Sequence, residues 1–70
     1  MKYGEYLRYL LDEKGMTQAE LAEKSGVGKS TIGELVKGRS KEPTLIKAKR
    51  IADALGVPLQ QFVDNIDDES

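Results

Sequence analysis

The sequence predicts an all-α fold of five short helices, and three observations carry that expectation. Apolar residues recur at intervals of three and four, glycine or proline interrupts the chain every dozen residues or so, and no run of alternating β-branched residues offers a strand. At 70 residues there is one domain, of a size that buries only roughly 60% of its unfolded surface, so its core must be compact. There is no Cys for a disulfide and no His for the usual zinc ligand sets. Packing must hold this chain together.

The first helix is expected over about Lys2 to Lys14, with Tyr3, Leu7, Leu10 and Leu11 facing inward and Gly15 as its stop. Tyr6 and Tyr9 lie off that stripe and read as half-buried packing. Thr17-Gln18-Ala19-Glu20 has the form of a capping box, in which the Thr17 hydroxyl accepts from the Glu20 amide and the Glu20 carboxylate accepts from the Thr17 amide. The helix it opens runs to about Lys24 and buries Leu21 and Ala22. Ser25-Gly26-Val27 is a turn in which Gly26 supplies a positive φ. The third helix spans about Lys29 to Lys37, starting near Gly28 and stopping before Gly38. After a polar loop, Thr44 is placed to cap a fourth helix whose inward side is Leu45, Ala48, Ile51, Ala52 and Leu55. Leu59, Phe62 and Val63 form a last short helix closing over the core. The expected domain is therefore 1–63, followed by an acidic, frayed tail at 64–70.

The third helix divides cleanly on a wheel of about 100° per residue. With Lys29 at zero, Lys29, Gly33, Lys37, Ser30 and Glu34 fall between roughly 0° and 140°, while Thr31, Leu35, Ile32 and Val36 fall between roughly 200° and 340°. One side packs and the other is offered outward. Two short helices joined by a Gly-containing turn form the unit that lays its second helix in a DNA major groove.

Charge supports that reading through its distribution rather than its sum. The net charge is −1, yet residues 24–50 carry eight basic side chains against two acidic ones. Residues 5–23 carry five acids against two bases, and four more acids follow Val63. A surface field depends on where charges lie, so a chain of near-neutral total can still present a face that attracts phosphate.

At these residues the sequence resembles a known family. Thr17-Gln18-Ala19-Glu20-Leu21-Ala22, Ser25-Gly26-Val27, Ser30-Thr31-Ile32, Gly38, Pro43 and Ile51-Ala52-Asp53-Ala54-Leu55-Gly56-Val57 look like the Cro/phage-repressor (XRE-type) helix-turn-helix proteins, from about Gly4 to Val63 without gaps. The resemblance implies a lambda-repressor-like bundle with its helix-turn-helix in helices 2 and 3, binding double-stranded operator DNA as a homodimer and acting as a small transcriptional repressor. It further implies that Lys29, Ser30, Gly33 and Glu34 sit at base edges. Thr17 and Gln18 at the start of helix 2, with Lys37, Arg39 and Lys41, would meet backbone phosphates. Base chemistry agrees in part: Lys donates to guanine O6 and N7, Glu accepts from cytosine N4, and Ser takes either role. Dimer contacts would fall before helix 4 and around helix 5, where Ile46 is the exposed apolar candidate.

Three departures stand out. Gly28 replaces the usual Ser or Thr cap, at small cost. Gly33 leaves the reading face without a side chain and lowers helix stability by roughly 1 kcal/mol relative to Ala. Leu11 and Val36 stand where these repressors often carry a buried Arg–Glu pair; apolar replacement of such a pair is tolerated when both partners change together, so the two should touch.

Other functions find little support. Gly26-Val27-Gly28-Lys29-Ser30-Thr31 looks like the end of a phosphate-binding P-loop, but the required first glycine is Glu23 and no strand precedes it. There is no Cys or His nucleophile–base set. The expectation is a non-enzymatic, cytoplasmic DNA-binding protein with no cofactor, metal or small-molecule ligand, and without a segment near the roughly 18 apolar residues that span a bilayer. The alternative is an antitoxin or bridging-type protein-interaction module on the same fold.

Overall fold

In the computed structural model, which describes residues 1–66, helix α1 (Tyr3–Lys14) opens with the Lys2 amide donating to Glu5 Oε1 at 2.8 Å. It closes at Gly15, whose left-handed φ of 61° turns the chain. Helix α2 (Gln18–Ser25) starts on the expected capping box. Glu20 N donates to Thr17 Oγ1 and Thr17 N donates to Glu20 Oε1, both at 3.1 Å. Helix α3 covers Lys29–Lys37, α4 Leu45–Leu55 and α5 Leu59–Asn65. Thr44 occupies the cap position of α4, but its side chain makes no capping hydrogen bond.

The turn between α2 and α3 is pinned from inside. Val27 is buried, and its amide donates to Ser25 Oγ at 3.1 Å. The turn thus satisfies its one buried hydroxyl while driving an apolar side chain into the core. Packing follows from there: α1 lies on α3, α2 on both α3 and α4, and α5 closes against α1 and α4. Leu7, Leu21, Ile32, Leu35, Ile51 and Phe62 meet at the centre, each with at most 1% of its surface exposed.

Several apolar residues sit where periodicity does not place them. Tyr6 is core rather than half-buried. Its ring meets Phe62 edge-on at 5.2 Å, and its hydroxyl accepts from Gln61 Nε2 at 2.8 Å. A short α5 has too few apolar side chains to close the bundle alone, so α1 supplies a second aromatic to it. Tyr9 stays 46% exposed, stacked beside Tyr6.

Leu45 is the opposite correction: expected inward, it is 74% exposed. Its angular position matches Ala48 and Ala52, but it stands in the first turn of α4, where the face it shares has run past the core. A helical wheel gives direction around the axis and not distance along it. Val63 is likewise exposed, because the inward side of α5 is taken by Phe62 with Leu59 packed against the core beside it. The expected boundary at 63 also moves. Asp64 and Asn65 are helical, bonded to Gln60 and to the Gln61 carbonyl, and Ile66 packs on the core. The remainder of the expected tail, 67–70, lies outside the described residues.

Candidate nucleic-acid interface

Helix α3 is anchored by two side chains and open along the other side. Ile32 and Leu35 are 0% and 1% exposed, while Lys29, Ser30 and Lys37 are exposed. Gly33 and Glu34 are half-buried rather than fully bare. Gly33 is flanked by Gln18 of α2, whose Oε1 lies 3.7 Å from where a Cβ would stand. Glu34 is folded toward the loop that follows the helix.

That loop is built on the helix end. Gly38 takes a left-handed φ of 81°, which lets the amides of Arg39 and Ser40 both reach back to the Glu34 carbonyl, at 2.9 and 3.2 Å. The Arg39 guanidinium comes back over the same residue, its Nε 3.8 Å from Glu34 Oε2. That carboxylate oxygen is buried and accepts no hydrogen bond.

Two clefts flank α3. One, of about 320 Å³, is lined by Ser30, Thr31 and Glu34 of the helix, Ser40 and Thr44 of the loop, and Lys47 of α4. The other, of about 420 Å³, is lined by Arg8 and Leu11 of α1, Thr17 and Gln18 at the start of α2, and Val36 and Lys37. Thr17, Gln18 and Lys37, separated in sequence, are thereby gathered on one side of α3. Ser30 and Glu34 open onto the other. Lys41 stands apart in the exposed loop. Leu11 and Val36 line the same cleft, Leu11 buried in the core and Val36 packed against it.

Two cations in this region were not among the expected site residues: Lys47 and Arg8. Lys47 stands three residues after Thr44 and so shares its face of α4, a spacing that could have singled it out. Arg8 had no such sequence signal, since its place beside α2 depends on how α1 packs. The basic segment is also not a single face. Lys49 turns to Asp53, at 2.8 and 2.9 Å from its two carboxylate oxygens, in an exposed pair one helical turn apart. Lys29, Lys37, Lys41 and Lys47 form no ion pair among the described residues.

The geometry of α2, the pinned turn and the open side of α3 is that of a helix-turn-helix, and a family model of that description matches residues 7–62. The chain belongs to the XRE-type helix-turn-helix family. Among relatives of the family, an uncharacterized HTH-type transcriptional regulator of Methanothermobacter thermautotrophicus is 59% identical over 44 residues. That match takes in 63% of this chain and 62% of the archaeal protein, so the chain spans less than two thirds of its relative. In three dimensions the chain is similar to the restriction-modification controller protein C.AhdI of Aeromonas hydrophila, with a TM-score of 0.80 and 30% identity over 86% of this chain and 89% of that one. It is also similar to the biofilm master regulator SinR of Bacillus subtilis in a structure with DNA, with a TM-score of 0.83 and 27% identity over 89% of this chain and 98% of that one. No helix among the described residues is long and apolar enough to cross a membrane.

Proposed function

We propose that the chain is a cytoplasmic, non-enzymatic transcriptional repressor that binds double-stranded DNA sequence-specifically, with α3 laid in the major groove. The observation that carries this is the division of α3: Ile32 and Leu35 are locked in the core while Lys29, Ser30 and Lys37 stand free on the opposite side. Lys29, Ser30 and Glu34 read base edges, and Gly33 lets the helix backbone approach them. Thr17, Gln18 and Lys37 hold phosphates on one side of the helix, and Arg39 and Lys41 hold them beyond its end. Arg8 and Lys47 extend the two flanks, since each lines a cleft beside α3.

The protein acts as a homodimer on DNA, with half-sites roughly one helical turn apart. Leu45, Ile46 and Val63, each at least 60% exposed, supply apolar surface for the contact. The test is mobility of random-sequence duplex at low and moderate salt, followed by selection of bound sequences from a random pool. Salt-sensitive binding and an enriched palindromic motif are expected. Salt-insensitive or absent binding would overturn the proposal in favour of a protein-interaction module on the same fold.

A further inference from the structure

Glu34 is the only acidic residue on α3, and it opens onto a cleft whose lining carries one cation, Lys47, and a second carboxylate, Glu42. Its side chain is 45% exposed, yet Oε2 is buried without a hydrogen bond, and the nearest charge is Arg39 Nε at 3.8 Å. Arg39 is held there by its backbone N–H, which donates a hydrogen bond to the Glu34 carbonyl, so both the backbone and the side chain tie the loop to this one residue. The carboxylate also opens onto the cleft that Ser30 and Lys47 share.

We propose that Glu34 is a specificity filter that works by repelling DNA it does not match, with Arg39 as its counter-charge. This rests on the DNA-reading role of α3 proposed above and adds a mechanism to it. A carboxylate carried into the groove meets the phosphate field and the acceptor edges of guanine and thymine, which raises the free energy of most complexes. A cytosine N4 or adenine N6 amino group offsets that cost by donating to it, and only at the matching position. On unmatched DNA the carboxylate keeps Arg39 paired, which withholds one cation from the phosphates. Discrimination here therefore comes from what Glu34 disfavours as much as from what it binds. That suits a reading face on which Gly33 contributes no side chain.

The experiment compares wild type, Glu34→Gln, Arg39→Ala and the double variant on a duplex selected by the wild type and on a scrambled duplex, over a range of salt. Glutamine keeps the shape and the acceptor oxygen but removes the charge. Glu34→Gln is expected to tighten binding to scrambled duplex at least about threefold and to steepen its salt slope by up to about one unit as Arg39 is released to phosphate. Affinity for the selected duplex should rise less, so the ratio of the two falls. Arg39→Ala should lower the salt slope on scrambled duplex by about one unit beside Glu34→Gln, where Arg39 reaches phosphate, and by less in the wild-type background. An unchanged ratio, or weaker binding of scrambled duplex by a Glu34→Gln protein with wild-type melting, overturns the filter while leaving the DNA reading standing. Wild-type protein that binds neither duplex overturns both.

Discussion

Gly4, in the first turn of α1, lies directly against the backbone carbonyl of Leu35 in α3. A Cβ at that position would run into the Leu35 oxygen and press on its carbonyl carbon at 3.2 Å. Leu35 is one of the two residues anchoring α3, so this contact sets how deeply the outward-facing helix is seated. Backbone atoms have no alternative rotamer with which to make room.

Gly4→Ala should therefore separate α1 from α3, with a loss of about 1–3 kcal/mol typical of overpacking. In a domain this small each kcal/mol lowers Tm by about 4–8 °C. Thermal melting by circular dichroism checks it, and a melt equal to wild type would show that the helices slide apart at no cost.

Gly33→Ala should do the reverse. The nearest atom to a new Cβ is Gln18 Oε1 at 3.7 Å, an ordinary contact, and alanine favours the helix by up to about 1 kcal/mol. Urea unfolding should show the gain. If binding to a selected duplex falls while stability rises, the α3 backbone at 33 lies against DNA.

Thr17→Ala removes the hydroxyl that accepts from the Glu20 amide at 3.1 Å and should cost about 1 kcal/mol by urea unfolding. Because Thr17 lines the cleft with Gln18 and Lys37, salt-dependent DNA binding should weaken as well. Thr17→Ser should restore both.

Tyr3 stacks on Phe62 at 4.9 Å, and its hydroxyl is buried without a hydrogen-bond partner. Burial pushes its pKa well above the ordinary tyrosine value of 10.0. The folded state thus holds the Tyr3 proton more tightly than the unfolded chain. Its contribution to stability is constant below about pH 10 and is lost as pH rises beyond that. Tyr3→Phe keeps the stack and drops the unpaired hydroxyl, so stability at pH 7 should be equal or higher. Part of the alkaline fall in Tm should also disappear. A substantial loss at pH 7 would reveal a partner for the hydroxyl.

Lys37→Ala should weaken selected and random duplex alike and reduce the salt slope by about one unit, whereas Lys29→Ala should relax base preference at one position. Selection from a random pool with each variant separates the two. An unaltered preferred sequence for Lys29→Ala would mean that another residue reads that base.

Patterns repeating over one turn were legible in the linear order of residues. The capping box at Thr17 and Glu20, the Gly26 and Gly38 turns and the two sides of α3 depend on groups within five positions of each other, so local chemistry specifies them. Tyr6, Leu45 and Val63 were misread because their burial depends on where a helix meets its neighbours. The same reason hid Arg8, whereas Lys47 stands three residues after Thr44, a spacing that was there to be read.

Helix boundaries and the outward side of α3 thus follow from short-range spacing, because a hydrogen-bonded turn closes over three or four residues. Whether Glu34 stands free or folds back to Arg39, and how closely Gly4 lets α3 approach α1, were decided by packing. Such contacts join residues through space, and their energies exist only once the helices have been brought together.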